Sequence, residues 1–462
     1  MLFNSLEFAL YFIMVVAAHF SMPHRFRWAF LLAASCYFYM VFIPKYILIL
    51  FLVIAVDYMA GLVLERAQGL ERRLTLAVSL ACNLGILCWF KYFGFFAESL
   101  APALGRLGLD YAAPALKVAL PIGLSFHTFQ SMAYTIDLYR GKVKAERHPG
   151  IFALYVLFFP QLVAGPIERP GHLIGQFRAE QKFEHRRALA GMGLMLWGLF
   201  KKMVVADNLS PLVDAAYGHP VQASGGALAL ATYAFTFQIY CDFSGYSDVA
   251  RGVAKVLGID LMKNFDAPYG SASIGEFWRR WHISLSSWFR DYLYLPLGGN
   301  QVGPRRWAAN VMIVFLVSGL WHGANWTFVC WGLLHGLYRL TSEGTKRAPP
   351  RWLGVAATFH AVALAWVFFR ARSVGEAFTI LARTFDPRTW DGSFGLEPRR
   401  AAVCLAGLAL LWIVDHSENG RGIGEFGAKH PRSLRSAFAG GLALALGAFG
   451  VMESQSFIYF QF

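Results

Sequence analysis

His322 stands between Trp321 and Gly323 in LWHGANWTFVCWGLLHG (320–336), inside an apolar run from Val311 to Leu334. A run of that length can cross a bilayer, and an ionisable side chain at such depth costs about 3 kcal/mol unless it faces a cavity or a partner. Gly319 and Gly323 flank the Trp321–His322 pair, which predicts a helix that is broken or closely packed there. Irregular backbone at membrane depth is tolerated only where protein buries it or where it lines a water-filled path. His322 therefore reads as a functional residue in a tunnel. An imidazole, with an unperturbed pKa of about 6.5, can take up or release a proton at that point. The competing reading is a neutral histidine bonded to a carbonyl of a neighbouring helix.

Other reactive side chains are better explained by structure. In a continuous helix His335 would lie about 220° from the face of His322, so a structural role is expected for it. His127 in LSFHTFQ reads as a buried, satisfied histidine. Asp242 and Asp248 in YCDFSGYSDVARG can line a tunnel, but an ion pair of Asp248 with Arg251, one turn on, accounts for one of them. The cysteines (Cys36, Cys82, Cys88, Cys241, Cys330 and Cys404) lie in apolar segments without CxxC spacing, which favours small buried hydrophobes over disulfides or a metal site. Gly422-Ile-Gly-Glu-Phe-Gly427 fits GxGxxG but follows a span rather than a strand, which argues against a dinucleotide fold. No HExxH, P-loop or GxSxG motif is present, which argues against a metalloprotease, an ATP-driven pump or a serine hydrolase.

The elements that must position His322 are membrane helices. Hydrophobic residues make up 56% of the chain and charged residues only 15%, against about a quarter in soluble domains. The excess of Lys and Arg, a formal net charge of +14, sits in short loops between apolar spans, which suits an anionic leaflet rather than nucleic acid. Apolar runs predict spans near 6–22, 28–43, 46–64, 74–97, 118–138, 150–165, 186–205, 225–243, 307–327, 328–341, 354–370, 401–415 and 436–451. The first lacks the basic flank and cleavage site of a signal peptide and reads as a retained span. Arg25, Arg27, Arg66, Arg72 and Arg73 mark alternate loops, continued by Arg140, Lys142, Lys144 and Arg147, while the intervening loops hold only Lys45 and Arg106. The positive-inside rule then puts the N-terminus outside. A re-entrant segment over Ile151–Ala164, broken by Pro160, Gly165 and Pro166, would keep the basic stretches on both sides cytoplasmic. Arg251 to Asp291 is polar and rich in Trp, which suits helices in the interface or dipping into a cavity. With no repeat and no detachable soluble part, the chain reads as a single membrane-embedded domain over 1–462. Its peripheral N-terminal helices occupy about 1–115, a core about 116–370 and C-terminal helices about 371–462.

EFWRRWHISLSSWFRDYLYLPLGGN (276–300) and LWHGANWTFVCWGLLHG resemble the two signature regions of the membrane-bound O-acyltransferases. The likeness is greatest to the bacterial branch that acetylates alginate or D-alanylates lipoteichoic acid. It runs nearly end to end through MLFNSLEF, NLGILCWFKYFGFF, LPIGLSFHTFQSMAYTIDLYRG, FFPQLVAGPIERP, QIYCDFSGYSDVARGVAKVLGI, AWVFFRA and FIYFQF. The resemblance implies an all-α polytopic fold with roughly 11–13 spanning or re-entrant helices around a central tunnel. It also implies His322 as the essential residue, and His282 as its upstream partner where eukaryotic relatives usually carry Asn.

Acyl transfer from a thioester to a hydroxyl needs a base, donors aimed at the developing oxyanion, and exclusion of water. In that scheme His322 is the base. His282 orients the thioester or stabilises the oxyanion, with Trp321 and Asn325 as lesser candidates, or else His282 is a structural hydrogen-bonding group. Arg279, Arg280 and Arg290, with Lys201 and Lys202, can meet the phosphates of an acetyl-coenzyme A or phosphopantetheine donor, or can snorkel to headgroups. The resemblance implies no metal and no tightly bound cofactor. It implies a bacterial inner-membrane enzyme, N-terminus periplasmic, that acetylates an exported polysaccharide such as alginate. Its expected partners are membrane lipids, a periplasmic SGNH-type acetyltransferase, polysaccharide export machinery and an acyl-carrier protein, with no nucleic acid. Transfer of D-alanyl or another acyl group to a wall polymer is the alternative. A transporter or channel is a remote one, because it would predict paired pseudo-symmetric halves.

Overall fold

The computed structural model describes residues 1–108, 121–162, 165–344, 349–392, 395, 397–417, 431–453 and 457–458. Among them every regular element is helical, so the fold is all-α. The Gly422–Gly427 motif and the expected boundary near residue 115 lie outside the described residues. Among the described residues four helical stretches are long and apolar enough to cross a membrane by length and composition: Pro44–Leu64, Gly69–Arg106, His185–Gly218 and Arg351–Arg370. The described residues divide into two compact units.

Helix α1 (Leu6–Ser21) opens the chain. The first unit, essentially Tyr11–Phe183, then carries α2 (His24–Met40), α3 (Ile47–Leu64), α4 (Gly69–Leu87), α5 (Phe93–Arg106), α6 (Leu124–Tyr139), α7 (Pro149–Leu157), the single turn α8 (Phe159–Leu162) and α9 (Pro170–Arg178). One buried polar cluster is matched across three of its helices. Asp57 of α3 accepts from Ser79 (2.7 Å) and Asn83 (2.8 Å) of α4, and Ser79 also donates to Thr135 of α6 (3.1 Å). Such satisfaction is what makes a buried carboxylate tolerable. The apolar run over 151–164 breaks at Phe158 (ψ 111°), two residues ahead of the expected Pro160. Pro160 has no N–H to donate to the carbonyl of Val156, so α7 cannot continue through it.

The second unit, essentially Leu2–Leu10 with Glu184–Gly258 and Met262–Phe462, holds α10 (His185–Leu199), α11 (Asp207–Gly218), α12 (Gly225–Val256), α13 (Ile274–Arg280), α14 (Ile283–Phe289), α15 (Pro304–His322), α16 (Trp326–Gly344), α17 (Arg351–Arg370), α18 (Val374–Phe385), α19 (Pro398–Ser417) and α20 (Arg432–Phe449). Between α10 and α11 the backbone is π-helical over Phe200–Ala206. Two glycine pairs press α10 onto α12: a Cβ on Gly198 would lie 2.5 Å from the Gly245 carbonyl oxygen, and one on Gly252 would lie 2.5 Å from that of Gly191. Small residues permit that backbone-to-backbone approach.

The expected span over 225–243 is longer than its apolar run, because α12 continues to Val256 with Asp242, Ser244, Ser247 and Val253 buried in protein. Two helices begin with the same Ser-x-x-Glu signature. Ser273 accepts from Glu276 N (3.2 Å) while Glu276 accepts from Ala272 N (2.8 Å), and Ser373 and Glu376 repeat the exchange with Arg372 N. Both satisfy first-turn N–H groups.

Candidate active site

His322 is the last residue of α15, and the apolar run over 311–334 is a tight helical hairpin, with the break beside His322 that its glycines predict. Gly323 is extended (φ −158°, ψ 147°) and ends the helix. A Cβ on Gly319 would lie 2.2 Å from the Phe328 carbonyl oxygen, and one on Gly323 would lie 2.0 Å from the Phe328 ring. The helix is therefore both broken and closely packed, and the missing side chains on either side of Trp321–His322 let α16 fold back against α15.

His282 reaches the same place from the junction of α13 and α14. Its backbone is left-handed (φ 43°, ψ 56°), a conformation open to few residue types other than glycine, with His, Asn and Asp the usual exceptions. The His282 and His322 ring centroids are 6.4 Å apart, and Trp321 lies 5.9 Å from the first and 5.0 Å from the second. Aromatic walls close the pair: Phe243 of α12 against His282 (4.7 Å), and Trp331 of α16 (5.0 Å) and Phe369 of α17 (5.3 Å) against His322. Trp366 packs on Trp331 (5.9 Å) and on Trp281 (5.1 Å). His282 is 0% and His322 3% exposed, so both rings are enclosed by side chains. A surface cavity of about 220 Å³ lies instead along α11 and α19, lined by Leu209, Arg400 and Cys404 among others, and contains neither histidine.

The other expected residues distribute unevenly. Trp321 is buried beside both histidines. The Asn325 side chain serves the hairpin turn: its Oδ1 accepts from Thr327 N (3.0 Å) and its Nδ2 donates to the Arg372 carbonyl (3.1 Å). Arg279 is exposed, Arg280 pairs with Glu276 (2.9 Å), and Arg290 pairs with its neighbour Asp291 (2.8 Å). Burial disfavours the Glu276 charge, but the Ala272 N–H and the guanidiniums of Arg280 and Arg351 outweigh it and hold the carboxyl below its usual range. His335 accepts from the Trp278 indole (3.3 Å), stacked with Phe277 and Phe315 and edge-on to Trp331. His127 belongs to the first unit, buried edge-on to Tyr39.

Lys201 and Lys202 correct the sequence reading. Both are buried, so neither is presented to an incoming donor. Lys201 bonds Asp248 (2.7 Å) and Ser244 (2.9 Å), and Lys202 bonds Asp207 (2.9 Å) and Asp242. An ammonium can be held inside a bundle only with such partners. Asp248 also meets Arg251 (3.3 Å), as the spacing predicts. The six cysteines are free, but of the six expected to be buried Cys241 and Cys404 are, Cys36, Cys82 and Cys330 are half-buried and Cys88 is exposed. No group of His, Cys, Asp and Glu suited to a metal is found among the described residues.

Sequence reasoning missed the walls of the site. Trp366 and Phe369 lie in AWVFFRA and Phe243 in YCDFSG, motifs whose aromatic content was a signal in hand. Asn264, whose side-chain Oδ1 accepts from Ser284 N (3.2 Å) beside the His282 turn, gave none.

Comparison with known proteins identifies the family. The family described as MBOAT, membrane-bound O-acyltransferase family, matches residues 127–352, a region that contains both histidines. The chain is 36% identical over 426 residues to the probable alginate O-acetylase AlgI of Azotobacter vinelandii, covering 90% of this chain and 84% of that protein. It is 37% identical over 426 residues to the protein of the same name from Pseudomonas aeruginosa, covering 90% and 80%. It is 36% identical over 385 residues to the peptidoglycan O-acetyltransferase of Helicobacter pylori, covering 76% and 72%. Similarity that extends along most of these relatives and brackets the enclosed histidine pair places the chain in the membrane-bound O-acyltransferase family, as an O-acyltransferase.

Proposed function

We propose that this enzyme moves an acetyl group from a thioester on the cytoplasmic side to the O-acetylation of an exported polysaccharide, alginate being the leading candidate. The observation that carries the reading is the His282–His322 pair, 6.4 Å apart and walled by aromatic rings, in a chain whose relatives are named as polysaccharide O-acetylases. His322 removes the proton of the accepting hydroxyl, and the oxygen attacks the thioester carbonyl. His282 faces the developing oxyanion. The C–S bond then breaks, and the thiolate takes the proton back from the His322 imidazolium, leaving an acetyl ester and a free thiol. The surrounding rings exclude water, which would otherwise hydrolyse the thioester.

Acetyl-coenzyme A or an acetylated carrier protein is the donor, with Arg279, Arg280 and Arg290 on its phosphates. A periplasmic SGNH-type acetyltransferase completes delivery to the polymer, beside the export machinery, with the enzyme in the inner membrane and its N-terminus outside. The test is His322→Ala and His322→Gln in cells, with polymer acetyl content read by NMR and the enzyme quantified in membranes. Loss of acetyl at normal enzyme level is expected. Normal acetyl content in either variant rejects the role, and loss of polymer D-alanine instead of acetyl replaces the acyl group.

A further inference from the structure

His282 occupies the N-cap position of α14 but does not cap it with its own side chain. The first-turn N–H groups are met by a distant residue. Asn264 accepts from Ile283 N through its carbonyl (2.9 Å) and from Ser284 N through its side-chain Oδ1 (3.2 Å). Its Nδ2 donates to Ser247 of α12 (3.2 Å). Two residues on, Asp266 N donates to the Arg280 carbonyl (2.9 Å), so the 264–266 segment brackets the His282 turn from both sides. Asn264, Ser247 and Ser284 are all buried.

We infer that Asn264 is a positioning residue: by capping α14 in place of His282, it locks residue 282 in the left-handed conformation that aims its imidazole toward His322. The inference rests on the proposed role of the histidine pair. N-cap side chains normally accept from the second or third N–H of the helix, and an imidazole drawn into that bond would turn toward α14. Left-handed and right-handed backbones send Cβ in different directions, so relaxation at residue 282 would swing the ring away. Asn264 supplies the acceptor from outside and ties the turn to α12, the helix that also provides Phe243 beside His282.

The test uses full-length enzyme purified in detergent, with acetyl-coenzyme A and an acetylated carrier protein as donors and thiol release as the readout. Asn264→Leu, similar in size but without the acceptor, is expected to lower kcat about 10- to 100-fold, the scale of a catalytic group displaced by about an ångström, with donor KM within about 3-fold. Asn264→Asp keeps the acceptor and should stay within about 5-fold of the parent. In a His282→Asn background, Asn264→Leu should cost less than about 3-fold more, because asparagine both favours the left-handed conformation and caps itself. An equal penalty in both backgrounds, a loss confined to KM, or no loss overturns the inference. So does failure of both Asn264→Leu and Asn264→Ala to accumulate in membranes, which would assign Asn264 to folding alone. If His282→Ala and His282→Asn themselves leave turnover unchanged, the reading of the histidine pair fails first, a result distinct from these.

Discussion

His282 and His322 face each other at 6.4 Å from backbones of opposite character, one a left-handed turn between two short helices and the other the last residue of a long helix. The difference separates what each tolerates. The position of His282 depends on its own φ and ψ, whereas that of His322 depends on the glycines that let the hairpin close.

His282→Asn should therefore retain measurable acetyl transfer, since asparagine is at ease in the left-handed conformation and can donate to an oxyanion. His322→Asn should retain none, because an amide cannot act as a base near neutral pH. Polymer acetyl content per unit of membrane enzyme measures both. Complete loss in both variants, each stably accumulated, would reject the division of labour.

Thinning the basic cluster with Arg279→Ala and Arg280→Ala should raise donor KM more than it lowers kcat, since phosphate contacts remote from the thioester give mostly uniform binding. Lys at both positions should recover only part, as Lys binds phosphate as a point charge. Because Arg280 also pairs with Glu276, Glu276→Gln serves as the control for helix stability. Unchanged KM for every donor that turns over would remove these arginines from the site.

Lys202→Met leaves Asp207 and Asp242 buried without their shared cation. Removing one partner of a buried ion cluster costs about 3–5 kcal/mol, so membrane accumulation and the thermal midpoint in detergent should both fall. Adding Asp207→Asn and Asp242→Asn should recover much of that loss. A single variant as stable as the parent would show that the cluster contributes little.

A pH dependence follows from His172, at the start of α9, whose pKa is raised above 6.5 by its 2.6 Å hydrogen bond with Glu168. A group whose folded pKa is raised adds stability that is whole below the unfolded value and fades as pH rises through the folded one. The thermal midpoint of the parent should exceed that of His172→Gln at about pH 5.5, and the gap should close by about pH 8.5. A gap that widens with pH would contradict the pairing.

The sequence by itself determined the class and set His322 inside an apolar run, the observation from which its proposed role starts. Apolar runs locate most of the helices because lipid and protein interiors both demand hydrocarbon, and the Ser-x-x-Glu pairs at Ser273 and Ser373 mark two helix starts because capping is local. Gly319 and Gly323 made the break beside His322 legible, since glycine there has a steric cause. Only the tertiary structure decided where buried charge goes. Lys201 and Lys202 looked available to a donor, but their partners lie on α12 and at the start of α11, and an ion pair is set by the space between helices rather than by spacing along one. The same holds for His282. Its left-handed turn, the Asn264 bonds beside it and the Phe243 ring are contacts between separate segments of the chain, as is the Phe369 ring against His322, all fixed by packing that no local pattern encodes.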